Sequence, residues 1–344
     1  MQIGITGFPR SGKTTVFQAL APGAAPGKDV TFGSIKVPDP RVLALAEHHQ
    51  PKKTVLTQIT FVDIAGIPGA SEKALDNKTI AAMKNVAALV HVVRVFDDPA
   101  AVKPADPARD IEDFDSELLL GDMALTEKQV DRFRRENRKG IERDTIEKLH
   151  AALEDLTPLR EIELTKDELK AVSGYQFLSM KPLITLYNLG EDKWTDPEFA
   201  ALREANARGA RQISMAMSAA VEMDIAAMEP DEQVEFLEAM ELEEPARDVF
   251  IRRAYTLLDL ISFLTAGPDE CRAWTVRKGS PAPVAAGKIH SDLERGFIRA
   301  EVLAYDDFVA HGSEAAAKAA GVYRVEGKTY VVQDGDILNI RHSS

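Results

Sequence analysis

Gly7-Phe8-Pro9-Arg10-Ser11-Gly12-Lys13-Thr14 reads G-x-x-x-x-G-K-T, and no other stretch of this chain restricts its fold so tightly. Before it, Met1 to Thr6 is a short apolar run containing β-branched residues; after it, Thr15 to Leu20 opens a helical pattern. Strand, glycine-rich turn and helix in that order make a phosphate-binding loop, and this setting argues against an ordinary βα turn. The glycines let the backbone curl so that successive N–H groups point at phosphate oxygens, while the helix N-terminus adds partial positive charge. Lys13 would reach the β- and γ-phosphates, and Thr14 would hold Mg²⁺ through its hydroxyl. The candidate phosphate site thus runs from Gly7 to Thr15.

Several later runs have the character of a mostly parallel sheet with helices on both faces. Leu56 to Asp63 reads as a strand, Ala88 to Phe96 as a near-continuous apolar strand, and Pro182 to Tyr187 and Gln212 to Ser218 as two more. Ser34 to Val37 is a short strand candidate and Arg41 to His49 a helix. From Asp115 to Leu164 the pattern changes to long charged helices. Met123, Thr126, Val130, Phe133 and Asn137, then Ile146, Leu149, Leu153 and Leu156, recur at helical spacing on either side of Gly140. That predicts an antiparallel helical hairpin. Glu232 to Leu260 reads as helix. The last part mixes short strands (Arg272 to Val276, Ile298 to Val302) with one helix over Ala285 to Glu294. A hairpin of Tyr330 to Val332 with Ile337 to Arg341 closes it around Asp334-Gly335, giving a small α+β domain.

Composition narrows the classes. A length of 344 residues suggests two or three domains at about 100–200 residues each. Lys+Arg 42 against Asp+Glu 55 gives a formal net charge of −13, which repels nucleic acid at long range. DNA is not an expected partner, and an RNA contact needs a local basic patch. One lies at the hairpin tip, where Arg132, Arg134, Arg135, Arg138, Lys139 and Arg143 stand against Glu136 and Glu142. It reads either as an RNA-phosphate contact or as a solvated helix face. The single cysteine, Cys271, leaves no internal disulfide or Cys-based metal site. No run approaches the roughly 20 apolar residues of a membrane span, and the phosphate loop occupies the place of a leader, so a cytoplasmic protein with no membrane partner is expected.

Further boxes complete a nucleotide site. Asp63-Ile64-Ala65-Gly66 follows a hydrophobic strand; Asp63 would help hold Mg²⁺ and the Gly66 N–H would sense the γ-phosphate. Ile67 stands where a Ras-like enzyme has the glutamine that orients attacking water, so hydrolysis needs another group or is slow. Asn188-Leu189-Gly190-Glu191 takes the place of the guanine-reading N-K-x-D. Glu191 is longer than the Asp that pairs with guanine, and Asn188 would face the adenine N6/N7 edge, so ATP is the expected ligand. Ser218-Ala219-Ala220 lies where a final base-contacting loop belongs.

Together these boxes resemble the YchF / Obg-like ATPase family of P-loop proteins, and the likeness spans nearly the whole chain. Phe61 to Gly66 with Gly69-Ala70-Ser71, His91 to Arg94, Phe263 to Gly267, Arg272 to Val276, Gly296 to Val302 and Gln333 to Asp336 carry it. The resemblance implies a P-loop G domain with an inserted helical hairpin and a C-terminal TGS-type β-grasp domain, weak ATP hydrolysis and ribosome association. It divides the chain into 1–114 and 179–260 (G domain), 115–178 (helical insert) and 261–344 (TGS-type). Four features depart from the family. Arg10 replaces the Asn that helps hold potassium, Gly27 falls near the place of the switch threonine with Thr31 as neighbour, Asp97 to Asp110 lacks a histidine, and Glu72-Lys73-Ala74-Leu75 replaces glycines after Gly69-Ala70-Ser71. The first argues against a potassium ion. Arg10 either supplies that counter-charge to the γ-phosphate, as a catalytic group beside Lys13 and Gly66, or points to solvent. A GTP-specific ribosome-assembly GTPase and a nucleotide-holding scaffold without hydrolysis are the competing readings.

Overall fold

The computed structural model describes residues 1–24, 31–67, 75–101, 103–193, 209, 211–240 and 242–343. They form two compact units, Met1–Ile35 with Ile59–Phe250, and Lys36–Gln58 with Ile251–Ser344. The strands in chain order are β1 (Gln2–Thr6), β2 (Thr31–Lys36), β3 (Lys53–Val55), β4 (Gln58–Asp63), β5 (Ala88–Arg94), β6 (Leu183–Asn188), β7 (Gln212–Met217), β8 (Leu260–Thr265), β9 (Glu270–Arg277), β10 (Phe297–Ala304), β11 (Arg324–Glu326) and β12 (Asp336–His342).

The first unit is built on a six-stranded sheet in the order β2-β4-β1-β5-β6-β7. The pairs β1–β4, β1–β5, β5–β6 and β6–β7 are all parallel. Every residue of β5 and β6 is buried, as their unbroken apolar character predicts for strands covered on both faces. This is the P-loop G-domain arrangement. Its phosphate loop joins the C-terminal end of β1 to helix α1 (Lys13–Leu20).

The helical insert consists of α4 (Pro107–Arg135) and α5 (Ile141–Glu154), following α2 (Pro40–His49) and α3 (Asn77–Asn85) in chain order. Gly140 at φ 115 starts α5, the turn expected there. Val130, Phe133, Ile146, Leu149 and Leu153 are buried together, with Met123 packed at the edge. Two expected seam positions fall outside. Leu156 is 71% exposed at φ 56, in the left-handed turn that ends α5, and Asn137 is exposed at φ 47. A helix that stops cannot carry its spacing further. The insert is tied to the sheet by Arg160, which donates to Gln212 and to the Ser179 carbonyl and pairs with Asp115 of α4.

The second unit has the sheet β11-β10-β12-β8-β9-β3. Helix 282–289 covers one face through Ala282, Ala285 and Ala286 against Phe263, Phe297, Ala300 and Val302. The other face buries Val42 and Leu45 of α2 with Leu264, Cys271, Leu303 and Phe308. Residues 36–58, read from sequence as part of the G domain, therefore complete this second core: β3 pairs with β9 in parallel register. Three other readings change here. The helix read over Glu232 to Leu260 is two helices, Pro230–Ala239 and Ala246–Leu257, and Leu260 already begins β8. The helix read over Ala285 to Glu294 breaks at His290 into Ala282–Ile289 and Ser291–Arg295. The hairpin around Asp334-Gly335 does not form. Val331 makes only an isolated bridge to Pro281, and β12 lies between β10 and β8. Asp334 instead accepts from the Ser262 N–H (2.8 Å) and pairs with Arg41 (2.7 Å), an ion pair that no local pattern announces.

Candidate functional site

The phosphate loop curls as its glycines require. Gly7 has φ 151, and a Cβ there would lie 2.5 Å from the Val92 carbonyl oxygen. Gly12 has φ 83, and a Cβ would lie 2.2 Å from Asn188 Nδ2. Gly12 is the N-cap of α1, and no side chain caps the helix, which leaves its first N–H groups directed at the loop's concavity. Lys13 Nζ folds back to donate to the Phe8 carbonyl (2.8 Å), which also accepts the Ser11 N–H (3.3 Å). Phe8 itself is buried in the core, while Pro9, Arg10 and Thr14 are exposed and Thr15 is half-buried.

Asp63 and Gly66 arrive beside this loop at the end of β4. A Cβ on Gly66 would touch Lys13 Nζ at 3.0 Å, so the two sites identified from sequence are adjacent. The Ile67 N–H donates to the Gly7 carbonyl (3.1 Å) and the Ile67 side chain is fully buried. Burial pulls the Lys13 ammonium below its ordinary pKa and Asp63 opposes the shift; burial raises the Asp63 carboxyl and Lys13 opposes that. A half-buried cation beside a half-buried anion suits a ligand carrying both phosphate and a divalent metal. Thr14 and Asp63 offer hard oxygen donors of the type Mg²⁺ prefers. No cluster of three or more His, Cys, Asp or Glu exists among the described residues.

Beneath the loop, His91 of β5 stacks on Phe114 of α4 at 3.9 Å between ring centroids. Burial, reinforced by Lys13, pulls its pKa down to about 3 from an ordinary 6.5. The unfolded chain therefore takes up a proton below pH 6.5 that the folded chain refuses until about pH 3, and folding stability falls with pH across that window. Lowering the pH from 7.5 to 5 is expected to cost wild type about 2 kcal/mol more than it costs His91→Phe, measured by urea unfolding. Equal losses in the two proteins would show that this imidazole is not held neutral.

Asn188, at the end of β6, joins the phosphate loop to the loop after β7. Its Nδ2 donates to the Ser11 carbonyl (3.1 Å) and its Oδ1 accepts the Ala219 N–H (3.1 Å), with the side chain 3% exposed. One amide N–H and one lone pair remain for a ligand. The structure thus brings the phosphate loop, Asn188 and the Ser218–Ala220 loop together. Glu191 and Ala220 are exposed, and Ser218 is buried. Leu189 is not brought to the site: it packs with Val93, Val95, Ile111, Tyr187 and Ala216.

Among the described residues, Arg10 pairs with neither the phosphate loop nor Asp63. It forms a forked pair with Asp98, Nε to Oδ2 at 2.6 Å and Nη2 to Oδ1 at 3.1 Å. Asp98 was not singled out from sequence; the only signal was an acidic pair, Asp97-Asp98, following the β5 strand. At the hairpin tip, three of the six cations are paired: Arg132 with Glu136, Arg138 with Glu142 and Arg143 with Glu147. Arg134, Arg135 and Lys139 have no carboxylate partner among the described residues. Gly27, Gly69-Ala70-Ser71 and the following Glu72 to Ala74 lie outside the described residues, whereas Thr31 is the first residue of β2. No helix among the described residues is long and apolar enough to cross a membrane.

Comparison with known proteins agrees with this arrangement. Residues 2–126 match the family model described as "50S ribosome-binding GTPase", and residues 260–343 match YchF-GTPase_C, "Protein of unknown function (DUF933)". The chain is 41% identical to the ribosome-binding ATPase YchF of Pasteurella multocida and 40% identical to that of Bacillus subtilis, each alignment covering 98% of both chains. It is 35% identical to Obg-like ATPase 1 of Caenorhabditis elegans, over 98% of this chain and 91% of the other. The solved structure of the Schizosaccharomyces pombe YchF GTPase superposes with a TM-score of 0.87 at 30% identity, covering 99% of this chain and 97% of that one. With the phosphate loop, the inserted hairpin and the C-terminal domain all matched, the chain belongs to the YchF family.

Proposed function

We propose that this protein binds ATP, hydrolyses it slowly and associates with ribosomes. The observation that carries the reading is the meeting of an uncapped α1 N-terminus, half-buried Lys13 and half-buried Asp63, with Gly66 beside the Lys13 ammonium. Lys13 and the loop amides from Gly7 to Thr15 bind the phosphates, Thr14 and Asp63 hold Mg²⁺, and Gly66 senses the terminal phosphate. The metal, when bound, neutralises charge developing on the phosphates. Asn188 and Glu191 read the base beside the Ser218–Ala220 loop, and Arg10 adds a fixed positive charge where the family holds potassium. Burial of Ile67 supports a slow intrinsic rate, since no side chain at that position orients water. Ribosome association follows the names of the relatives. Arg134, Arg135 and Lys139 at the hairpin tip are the cations best able to meet RNA phosphates, being free of carboxylate partners.

Phosphate release from ATP, with and without ribosomes, tests the proposal when wild type is compared with Lys13→Ala. A Lys13-dependent release that ribosomes raise is expected, with a loss of at least about 100-fold in the variant. Release absent in both conditions favours the scaffold reading, and tighter binding of GTP than ATP in competition calorimetry overturns the base assignment.

A further inference from the structure

The forked contact between Arg10 and Asp98 joins two segments that approach only through the sheet, the phosphate loop after β1 and the loop after β5. Arg10 sits at φ 64, in the left-handed region that side-chain-bearing residues seldom adopt. Its side chain is 52% exposed, whereas that of Asp98 is 16% exposed. The carboxylate is seated independently of the arginine: Oδ1 also accepts the Ala100 N–H (3.0 Å), and the Asp98 carbonyl accepts the Ala101 N–H (2.9 Å). The neighbouring Asp97 pairs with Lys193, just past the base-side loop, at 3.3 Å. Residues 97–101 therefore span from the phosphate side of the site to its base side.

A half-exposed ion pair of this kind contributes little to folding. Its geometry matters more. The guanidinium has five N–H donors, of which Asp98 takes the Nε donor and one on Nη2. Among the described residues, both Nη1 donors and the second on Nη2 are left on an edge whose plane the carboxylate fixes. An arginine held this way can meet a second oxyanion without first losing rotamer freedom.

We propose that Asp98 is a positioning residue for hydrolysis: it aims the unused edge of Arg10 at the terminal phosphate of a bound triphosphate. The inference rests on the ATP reading above and adds to it a residue that touches neither nucleotide nor metal. Asp98 acts only through Arg10, so its effect belongs to the transition state, where charge on the terminal phosphoryl oxygens is redistributed, more than to ground-state affinity. A lysine at position 10 has a point charge without a fork and cannot be aimed by a carboxylate in the same way.

The test is a double-mutant cycle on the full chain, read by steady-state phosphate release and by ATP calorimetry. Asp98→Ala is expected to lower kcat about tenfold and to leave ATP affinity within about twofold. Asp98→Glu, which keeps the carboxylate, should recover most of the rate, and Arg10→Lys should not. Asp98→Ala placed on Arg10→Ala should cause no further loss, because the two residues act as one. A wild-type rate in Asp98→Ala, a faster rate, or losses that multiply in the double variant would each overturn the proposal while leaving the ATP reading intact. Absence of ATP binding by wild type would overturn both. Unchanged thermal unfolding of Asp98→Ala separates positioning from damage to the fold.

Discussion

Gly12→Ala is expected to weaken binding of a magnesium–triphosphate at least about 100-fold, or roughly 3 kcal/mol, in calorimetry. Two effects combine. Gly12 holds φ 83, where an L side chain is strained, and the new methyl would lie 2.2 Å from Asn188 Nδ2. Asn188 cannot swing away cheaply, because its amide is tied to Ser11 on one side and Ala219 on the other. The substitution therefore disturbs the phosphate loop and the Ser218–Ala220 loop together. Gly23→Ala is the control: it also has a positive φ, 80, but nothing lies within 4 Å of its Cβ. It should show only the modest loss of backbone strain, with nucleotide affinity kept. Near-wild-type affinity in Gly12→Ala would mean that the loop binds phosphate in some other conformation.

Asp122→Ala is expected to destabilise the first unit by about 3–5 kcal/mol, the largest folding effect predicted here. Asp122 is 2% exposed on α4, and its carboxylate accepts from the Leu178 N–H (3.0 Å), the Ser179 N–H (2.7 Å) and the Ser179 hydroxyl (2.7 Å). Alanine would leave those donors buried and unanswered, at roughly 1–3 kcal/mol each before relaxation. The segment they belong to leads into β6, so the loss loosens the join between helical insert and sheet. Thermal unfolding should show a midpoint lower by about 10 °C. Glu127→Ala, on the exposed side of the same helix, should stay within about 0.5 kcal/mol of wild type. A silent Asp122→Ala would imply that water replaces the carboxylate.

Much of the site was legible because its chemistry is written locally. The phosphate loop is one turn between a strand and a helix, and the residues that curl it are adjacent in the chain. Asp63 and Gly66 follow a strand whose apolar run gives away its end. The hairpin was equally readable, through the spacing of Val130, Phe133, Ile146, Leu149 and Leu153. Boundaries fared worse where one pattern admits two structures. Leu260 to Thr265 is a short apolar run that continues a helix or begins a strand, and only pairing with β9 and β12 decides between them. Tyr330 to Val332 has strand-like residues on the wrong side of a turn that is occupied by a different partner.

Sequence by itself marked the nucleotide-binding loop, the individual strands around it and the helices of the insert, since each is a pattern of residues within a few turns or one strand of each other. Tertiary structure alone decided that residues 36–58 complete the second core, where Val42 and Leu45 find apolar surface and β3 finds a free edge at β9. It also decided that Arg10 meets Asp98, 88 residues away, and that Asn188 ties the phosphate loop to the Ser218–Ala220 loop. The reason is common to all three. Burial and charge pairing act through space, and a partner distant along the chain leaves no trace in local spacing.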